Sequence, residues 1–263
     1  MDTYVVAMSD MHSGSSKALF PRAFMQFEHT NYTPTKEQKR MYEHWIKCAK
    51  YVAKNRVGKK IIIVHNGDAI DGIHHGTHQI VSHKWQDHVT IHLELMDEFL
   101  REVGFGDGDE LHYVSGTESH TQDYEREIAN DLSAGYHDEL KMKINGVKIW
   151  FTHHGGAPGK GTNVGDGYRN FLKTIYWECL QKNKEMPDIV VSSHYHRPIY
   201  STYVQDYLTI HGIILPSWQM KTRYAYMVAP FQVNQIGMSF IDITEQGFIK
   251  VHKPLLLELQ NKK

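Results

Sequence analysis

The chain has 263 residues, of which 41% are hydrophobic; this is enough to bury one sizeable core, so we predict a single domain over residues 1–263. Its 29 basic and 30 acidic side chains leave a net charge of −1, which excludes an overall positive field able to hold a nucleic-acid backbone. The longest apolar runs are far shorter than the roughly 20 residues that span a bilayer, and the first ten residues do not fit a secretory signal. We therefore expect a cytoplasmic protein with no membrane-spanning segment.

Short apolar segments rich in β-branched residues predict strands, and amphipathic segments predict helices between them. Before residue 200 the predicted strands are Thr3–Met8, Lys60–His65, Glu110–Ser115, Leu140–Ile144, Val147–Thr152 and Asp188–Ser192. The predicted helices are Thr35–Lys54, which opens with a capping box made by Thr35 and Gln38, Trp85–Val103, which stops at Gly104, and Asp166–Lys182. Asn145-Gly146 predicts a type I′ hairpin between two of the strands.

After residue 200 the pattern is rich in strands. They are predicted at Ile199–Val204, Tyr207–Leu215, Gly237–Ile243 and Phe248–His252. Strands and helices alternate early in the chain and strands pair late, which predicts an α/β protein whose mixed sheet is extended or faced by antiparallel strands.

Five of the predicted strands run directly into side chains that bind metal ions. These side chains are Asp10 and His12 after the first strand, Asp68 and Asp71 after the second, Glu118 and His120 after the third, His153 and His154 after the fifth, and His194 and His196 after the sixth. Because ligands of open α/β sheets bind outside the carboxyl ends of the strands, we expect the five clusters to converge. Gathering that many acids would be costly without a cation among them.

The ligand types limit the choice of metal. Carboxylate oxygen mixed with imidazole nitrogen, without a thiolate, is typical of divalent manganese, iron or zinc. In an extended segment, residues i and i+2 point the same way. We therefore expect Asp10 with His12, and His194 with His196, each to present two ligands to one site.

The order of these clusters resembles the signature of the calcineurin-like metallophosphoesterases, which reads D-x-H, G-D-x-x-D, G-N-H-[DE], a His before Gly, and G-H-x-H. The matching segments are Asp10-Met11-His12, Gly67-Asp68-Ala69-Ile70-Asp71, Gly116-Thr117-Glu118-Ser119-His120, His154-Gly155 and Ser193-His194-Tyr195-His196. The sequence departs from the signature at Ser193, which replaces a glycine, and in the third block, where Thr117-Glu118-Ser119-His120 replaces Asn-His. The resemblance implies an α/β/β/α sandwich with two mixed sheets flanked by helices.

The resemblance also implies a centre with two divalent metal ions, manganese being favoured over iron, zinc and nickel. The implied ligands are Asp10, His12 and His196 for one ion, Glu118, His154 and His194 for the other, and Asp68 as the bridge between them. Thr117 is the alternative to Glu118 as the oxygen ligand, and His153 is the alternative to His154.

Two further roles follow from the resemblance. His120 would act as the general acid, and Asp71 would orient it. The implied reaction is hydrolysis of a phosphate ester, in which a metal-bridging hydroxide attacks phosphorus in line and His120 protonates the leaving oxygen. A phosphodiester, including DNA or a nucleotide, is favoured as the substrate. The alternatives are a phosphomonoesterase or protein phosphatase, and a catalytically silent metal-binding scaffold.

Several residues near the expected site are candidates for contact with the substrate. They are His74 and His75, Lys160 in the glycine-rich segment 155–167, and Arg197. His88 and His92 lie one helical turn apart, and we favour buried helix residues over a second cation clamp. Residues 216–226 interleave aromatic and basic side chains, which suits stacking on bases but is more typical of ordinary packing. The sequence leaves the oligomeric state open.

Overall fold

The computed structural model of the protein describes residues 1–23, 25–28, 30–73, 78–230, 232 and 234–257. Its strands are β1 (Thr3–Met8), β2 (Met25–Gln26), β3 (Asn31–Tyr32), β4 (Lys60–Asn66), β5 (Glu110–Val114), β6 (Gly135–His137), β7 (Leu140–Ile144), β8 (Val147–Phe151), β9 (Ile189–Ser192), β10 (Ile199–Gln205), β11 (Leu208–Ile214), β12 (Gly237–Ile243), β13 (Ile249–Val251) and β14 (Leu255–Leu256). Its α-helices are α1 (Lys36–Asn55), α2 (Trp85–Val103), α3 (Glu118–Thr121), α4 (Tyr124–Asp131), α5 (Asp166–Gln181) and α6 (Arg223–Val228).

Two mixed sheets account for most of the strands. In the first sheet the order is β13-β12-β1-β4-β5-β6; β1, β4, β5 and β6 run parallel, and β12 pairs antiparallel with β1. In the second sheet the order is β10-β11-β9-β8-β7, with three parallel strands in the centre and an antiparallel strand at each edge. The predicted α/β fold with two mixed sheets is confirmed.

Apolar side chains hold four layers together. Along β1, Val5 and Ala7 face the second sheet, where they join Phe151 and Val191, whereas the alternate residues Tyr4, Val6 and Met8 face the helices. After Thr3 the strand is therefore apolar, as expected of a parallel strand buried on both faces. Helices α1, α2 and α4 pack on the outer face of the first sheet, and α5 packs on the second sheet. None of the helices in the described ranges combines the length and the hydropathy that crossing a bilayer takes.

Local sequence signals set the ends of α1 and α2 and the hairpin between β7 and β8. The capping box predicted for α1 is present, and α2 ends at Gly104, whose φ of 68° gives the left-handed cap that glycine favours. Asn145 and Gly146 join β7 to β8 with φ values of 50° and 89°, as a type I′ turn requires.

The capping box of α1 gives a test of this local contribution. Thr35 Oγ1 accepts from the Gln38 backbone N–H at 3.2 Å, and Gln38 Oε1 accepts from the Thr35 backbone N–H at 3.0 Å. We expect Thr35→Ala to lower the free energy of unfolding by about 1 kcal/mol, because one N–H at the start of the helix loses its partner. Equilibrium unfolding in urea measures this change. Thr35→Ser keeps the hydroxyl and serves as the control, so an equal loss in both variants would contradict the capping role.

Candidate metal centre

Loops that follow β1, β4, β5, β8 and β9 bring most of the predicted ligands together at one end of the two sheets. One ligand atom each from Asp10, His12 and His196 lie within 4.8 Å of one another, and the same holds for Asp10, Asp68 and His153. A further such group contains His153, His154 and His194. The ligand cage, as we call it below, consists of Asp10, His12, Asp68, Thr117, His153, His194 and His196.

The first half of the ligand cage surrounds the carboxylate of Asp10. His196 Nε2 lies 3.2 Å from Asp10 Oδ1 and 3.2 Å from His12 Nε2, and the latter atom is 3.7 Å from Asp68 Oδ2. Asp10 Oδ1 is buried and accepts no hydrogen bond of acceptable geometry. A buried carboxylate oxygen without a hydrogen bond, facing two imidazole nitrogens, fits a cation site because a buried charge needs compensation.

The second half of the ligand cage also contacts the carboxylate of Asp68. His153 Nε2 lies 3.2 Å from Asp68 Oδ2. The hydroxyl oxygen of Thr117 is 3.3 Å from that same carboxylate oxygen, 3.4 Å from His153 Nε2 and 3.5 Å from His194 Nδ1. Asp68 thus stands between the two halves, where the resemblance expects the bridging residue.

Glu118 was expected to supply the oxygen ligand, but the structure does not bring it into the ligand cage. Its side chain is exposed, and it belongs to none of the potential metal-binding groups found among the described residues. Instead the backbone N–H of Thr117 donates to Asp68 Oδ1 at 2.7 Å, which fixes the Thr117 hydroxyl beside Asp68. The alternative, Thr117, is the residue that the geometry favours.

The geometry likewise favours His153 over His154 as the inner ligand. His153 is buried, and its Nδ1–H donates to the backbone oxygen of Asn66 at 2.8 Å, which leaves Nε2 directed at Asp68. His154, the expected ligand, shares a group with His153 and His194 but is exposed at the rim, with its ring centroid 4.7 Å from that of His194. A Cβ on Gly67 would come within 2.3 Å of His153 Nδ1, so glycine there is what allows His153 to approach.

Asp71 was expected to orient His120 with its side chain, but the hydrogen bond between the two residues involves the Asp71 backbone. His120 Nδ1–H donates to the backbone oxygen of Asp71 at 3.1 Å. The Asp71 carboxylate oxygen Oδ1 lies 3.1 Å from His12 Nδ1 and accepts from Gln219 Nε2, also at 3.1 Å. The carboxylate of Asp71 therefore faces His12 of the ligand cage, and its backbone carbonyl group accepts a hydrogen bond from His120.

The electrostatics of the ligand cage favour positive charge at its centre. Burial alone would lower the pKa of His153, but the charge of Asp68 and its hydrogen bond outweigh burial and raise the pKa to about 10. Burial alone would raise the pKa of Asp68, but the charge of His153 outweighs it and the net pKa is lowered well below its ordinary value. By contrast, burial and the neighbouring His153 lower the pKa of His194 to about 4. The two acids therefore favour positive charge beside them, and His194 stays neutral, as a metal ligand must be.

The backbone of the ligand cage is unusual. Ten non-glycine residues in the described part of the chain have positive φ, and five of them are Asp10, His12, Asp68, His194 and His196. Such conformations cost about 1–3 kcal/mol each and cluster at functional sites. Because these residues are not extended, the i, i+2 rule does not apply to them, and His194 and His196 fall in different halves of the ligand cage.

Buried side chains hold the loop of Asp68, among them Glu125, which was not one of the predicted site residues. Glu125, from α4, accepts from the backbone N–H of Ala69 at 2.9 Å and from that of Gly116 at 2.6 Å, which ties the loop after β4 to the loop after β5. His92 Nδ1 lies 3.1 Å from the backbone oxygen of Ala69, so both backbone polar groups of Ala69 are in contact with buried side chains. His88 contacts the backbone oxygen of Ser82 at 2.9 Å, and both helix histidines are buried, as favoured above.

A crevice of about 660 Å³ opens over the ligand cage. Its lining includes His120, Lys160 and Gln219 as well as residues of the ligand cage. Arg197, a candidate for substrate contact, does not line it. His74 and His75 lie outside the described residues. Within 216–226, Trp218 is buried, whereas Tyr224 and Tyr226 are exposed on α6, so the segment combines packing with exposed aromatic surface.

No protein-family model matches the chain, and no curated protein sequence does either. One similar solved structure is an archaeal phosphodiesterase, with 12% sequence identity and a TM-score of 0.43; the match covers 97% of this chain and 99% of that one. The NAD nucleotidase of Haemophilus influenzae has 9% identity and a TM-score of 0.42, over 97% of this chain and 49% of that one. The sulfate thiohydrolase SoxB of Thermus thermophilus has 9% identity and a TM-score of 0.45, over 98% of this chain and 57% of that one. The chain thus spans about half the length of the latter two. At this level of similarity, its function has to be inferred from its own side chains.

Glu125 provides a test of how the loops are held. We expect Glu125→Gln to lower the free energy of unfolding by about 1–3 kcal/mol, because the amide offers a donor to one of two backbone N–H groups and leaves that group unsatisfied. Urea unfolding measures the loss. Glu127→Gln, on the exposed side of the same helix, is the matched control and should change little. Equal stability of the two variants would mean that Glu125 does not hold the loops.

The neighbouring histidines 153 and 154 provide a test of the ligand assignment. We expect His153→Ala to reduce the bound manganese by at least one ion per chain, because an inner nitrogen of the ligand cage is removed. His154→Ala should retain the manganese content of the unmodified protein, because its side chain lies at the rim. Elemental analysis after dialysis measures both. Loss of metal in the His154 variant alone would reverse the assignment.

Proposed function

We propose that the chain is a two-metal hydrolase of phosphate esters, with a preference for phosphodiesters. The observation that supports this most directly is the position of Asp68, whose carboxylate lies between two sets of oxygen and nitrogen donors beneath an open crevice. Two donor sets that share one carboxylate are suited to holding two divalent cations close together.

The donor atoms fit such a pair of ions. The proposed ligands are Asp10, His12, Asp68 and His196 for the first ion, and Asp68, Thr117, His153 and His194 for the second. All are oxygen or nitrogen donors, which favours a first-row divalent metal, and we propose manganese. When bound, two such ions neutralise the charge of a phosphoryl group and make water acidic enough to supply hydroxide near neutral pH.

His120 is placed to handle the proton of the leaving group. It lines the crevice, and its Nδ1–H is held by the backbone oxygen of Asp71. The other ring nitrogen is then the one that can carry a proton to the leaving oxygen as the ester bond breaks. The ring centroid of His120 is 5.0 Å from that of His12, so the proton donor stands next to the ligand cage.

The charge of the crevice favours a diester over a monoester. Among the described residues that line it, Lys160 is the only lysine or arginine. A phosphomonoester carries close to two negative charges at neutral pH and gains more than a diester from additional basic side chains. A nucleic-acid strand likewise needs several cations along its backbone, which this lining does not offer.

Hydrolysis assays in manganese test this function. We expect the protein to hydrolyse bis(4-nitrophenyl) phosphate faster than 4-nitrophenyl phosphate. His120→Ala should lower kcat by about 10²–10⁴-fold, because the proton donor is lost, while both manganese ions remain bound. Glu118→Gln, two residues away and exposed, is the matched control and should keep kcat and metal content.

The outcomes separate the alternatives. Faster hydrolysis of the monoester would indicate a phosphomonoesterase. Two bound metals without hydrolysis of either ester would favour the metal-binding scaffold. Loss of metal in the His120 variant would assign His120 to the ligand cage instead of to proton transfer.

A further inference from the structure

Helix α6 is an exposed apolar element beside the ligand cage. It has no buried residue, and its side chains Tyr224, Met227 and Val228 are 49%, 74% and 60% exposed. Single exposed apolar side chains are ordinary, but several of them together on a surface are typical of a binding site. The position of α6 next to a reactive centre makes the substrate itself the natural occupant.

Hydrogen bonds hold α6 in place. Lys221 Nζ donates to the backbone oxygens of Ala229, Pro230 and Gln232 at 2.6, 2.8 and 2.7 Å, which closes the segment that contains the helix. Thr222 caps the helix by accepting from the backbone N–H of Ala225 at 3.2 Å. These three contacts use all the donors of the ammonium group, so Lys221 stabilises the loop instead of binding the substrate.

Two further contacts connect the segment to the rest of the crevice. Gln232 Nε2 donates to the backbone oxygen of Tyr195, between the two histidines of the last ligand loop. The backbone N–H of Arg223 donates to Gln79 Oε1 at 2.8 Å. The apolar helix is thus fixed relative to the ligand cage before any substrate arrives, which lowers the entropy cost of binding.

One face of α6 forms a wall of the crevice. Tyr224, Ala225 and Val228 line it together with His120 and His194, whereas Met227 is not part of the lining. Pro158, from the glycine-rich loop, adds apolar surface, and Lys160 adds the only cationic side chain among the described lining residues. A phosphoryl group over the ligand cage would therefore have its organic substituent next to apolar and aromatic side chains.

We propose that α6 binds the organic group of the substrate and that the substrate is a compact phosphoester carrying an aromatic or similarly apolar group, not an extended polynucleotide. This inference rests on the proposed function, because it takes the ligand cage as the site of the phosphoryl group. Tyr224 supplies a ring face for an aromatic substituent, and Val228 supplies aliphatic contact.

Binding of phosphonates to the manganese-loaded protein tests the inference without turnover. Phenylphosphonate and methylphosphonate carry the same anionic group and differ in their organic substituent; inorganic phosphate reports the anion site alone. In competition assays or calorimetry we expect phenylphosphonate to bind about three- to tenfold more tightly than methylphosphonate, the range of one aromatic contact. Tyr224→Ala should remove most of this preference and leave the affinity for inorganic phosphate unchanged.

Met227→Ala is the matched control, since Met227 is an exposed residue of the same helix that does not line the crevice; it should keep the preference. Equal binding of the two phosphonates, or equal effects of the two substitutions, would overturn the inference. A deoxythymidine oligonucleotide that competes better than phenylphosphonate and is insensitive to Tyr224→Ala would overturn it in favour of a nucleic-acid strand. Failure of all three small anions to bind would overturn the proposed function, and the role of α6 with it.

Discussion

The arrangement of the loops around the ligand cage depends on two carboxylates that are buried side by side. Asp10 and Asp68 are almost fully buried, and their oxygens lie within 4.8 Å of each other and of a nitrogen of His153. Like charges at this distance repel strongly in a medium of low dielectric constant, and each has also lost its hydration. Positive charge close to both carboxylates offsets this repulsion, and the imidazoles around the two acids can carry it. The loops at this end of the molecule are organised around that requirement.

The requirement explains why strained backbone is tolerated here. Left-handed φ values at five residues of the ligand cage persist only because the surroundings hold them in place. Part of that support joins the two sheets: the Asn66 side chain, at the end of β4, donates to the backbone oxygen of Thr152 at 3.0 Å and to Ser193 Oγ at 2.9 Å. Ser193, which replaces the glycine of the resembling signature, is thus part of the polar contact that sets one sheet against the other. Since each half of the ligand cage draws on both sheets, this contact also sets the spacing of the ligands.

Features that depend on the local sequence pattern, such as strands and helix ends, can be predicted from the sequence. Features that depend on residues distant in the chain, such as the choice between neighbouring ligands, mostly cannot. Strand cores and the ends of α1 and α2 follow from periodicity and capping, and parallel strands bring the five clusters to one end. The choice between Thr117 and Glu118, or between His153 and His154, depends on how the chain turns after each strand. Those turns are left-handed or tightly packed, so spacing rules for extended chain do not decide them. Glu125 gave no signal because its partners are backbone groups of loops more than eight residues away along the chain.

The choice of Thr117 instead of Glu118 as the proposed oxygen ligand changes the net charge of the ligand cage. With a neutral hydroxyl as the oxygen donor, the proposed ligands carry two negative charges, those of Asp10 and Asp68. Two divalent cations would bring four positive charges, leaving an excess of two. A phosphodiester anion together with a hydroxide carries two negative charges and would balance that excess. With a third carboxylate among the ligands, the excess would be only one positive charge, too little to balance the diester and the hydroxide. Because buried charge is costly unless compensated, a ligand cage with two carboxylates matches a monoanionic diester better than one with three.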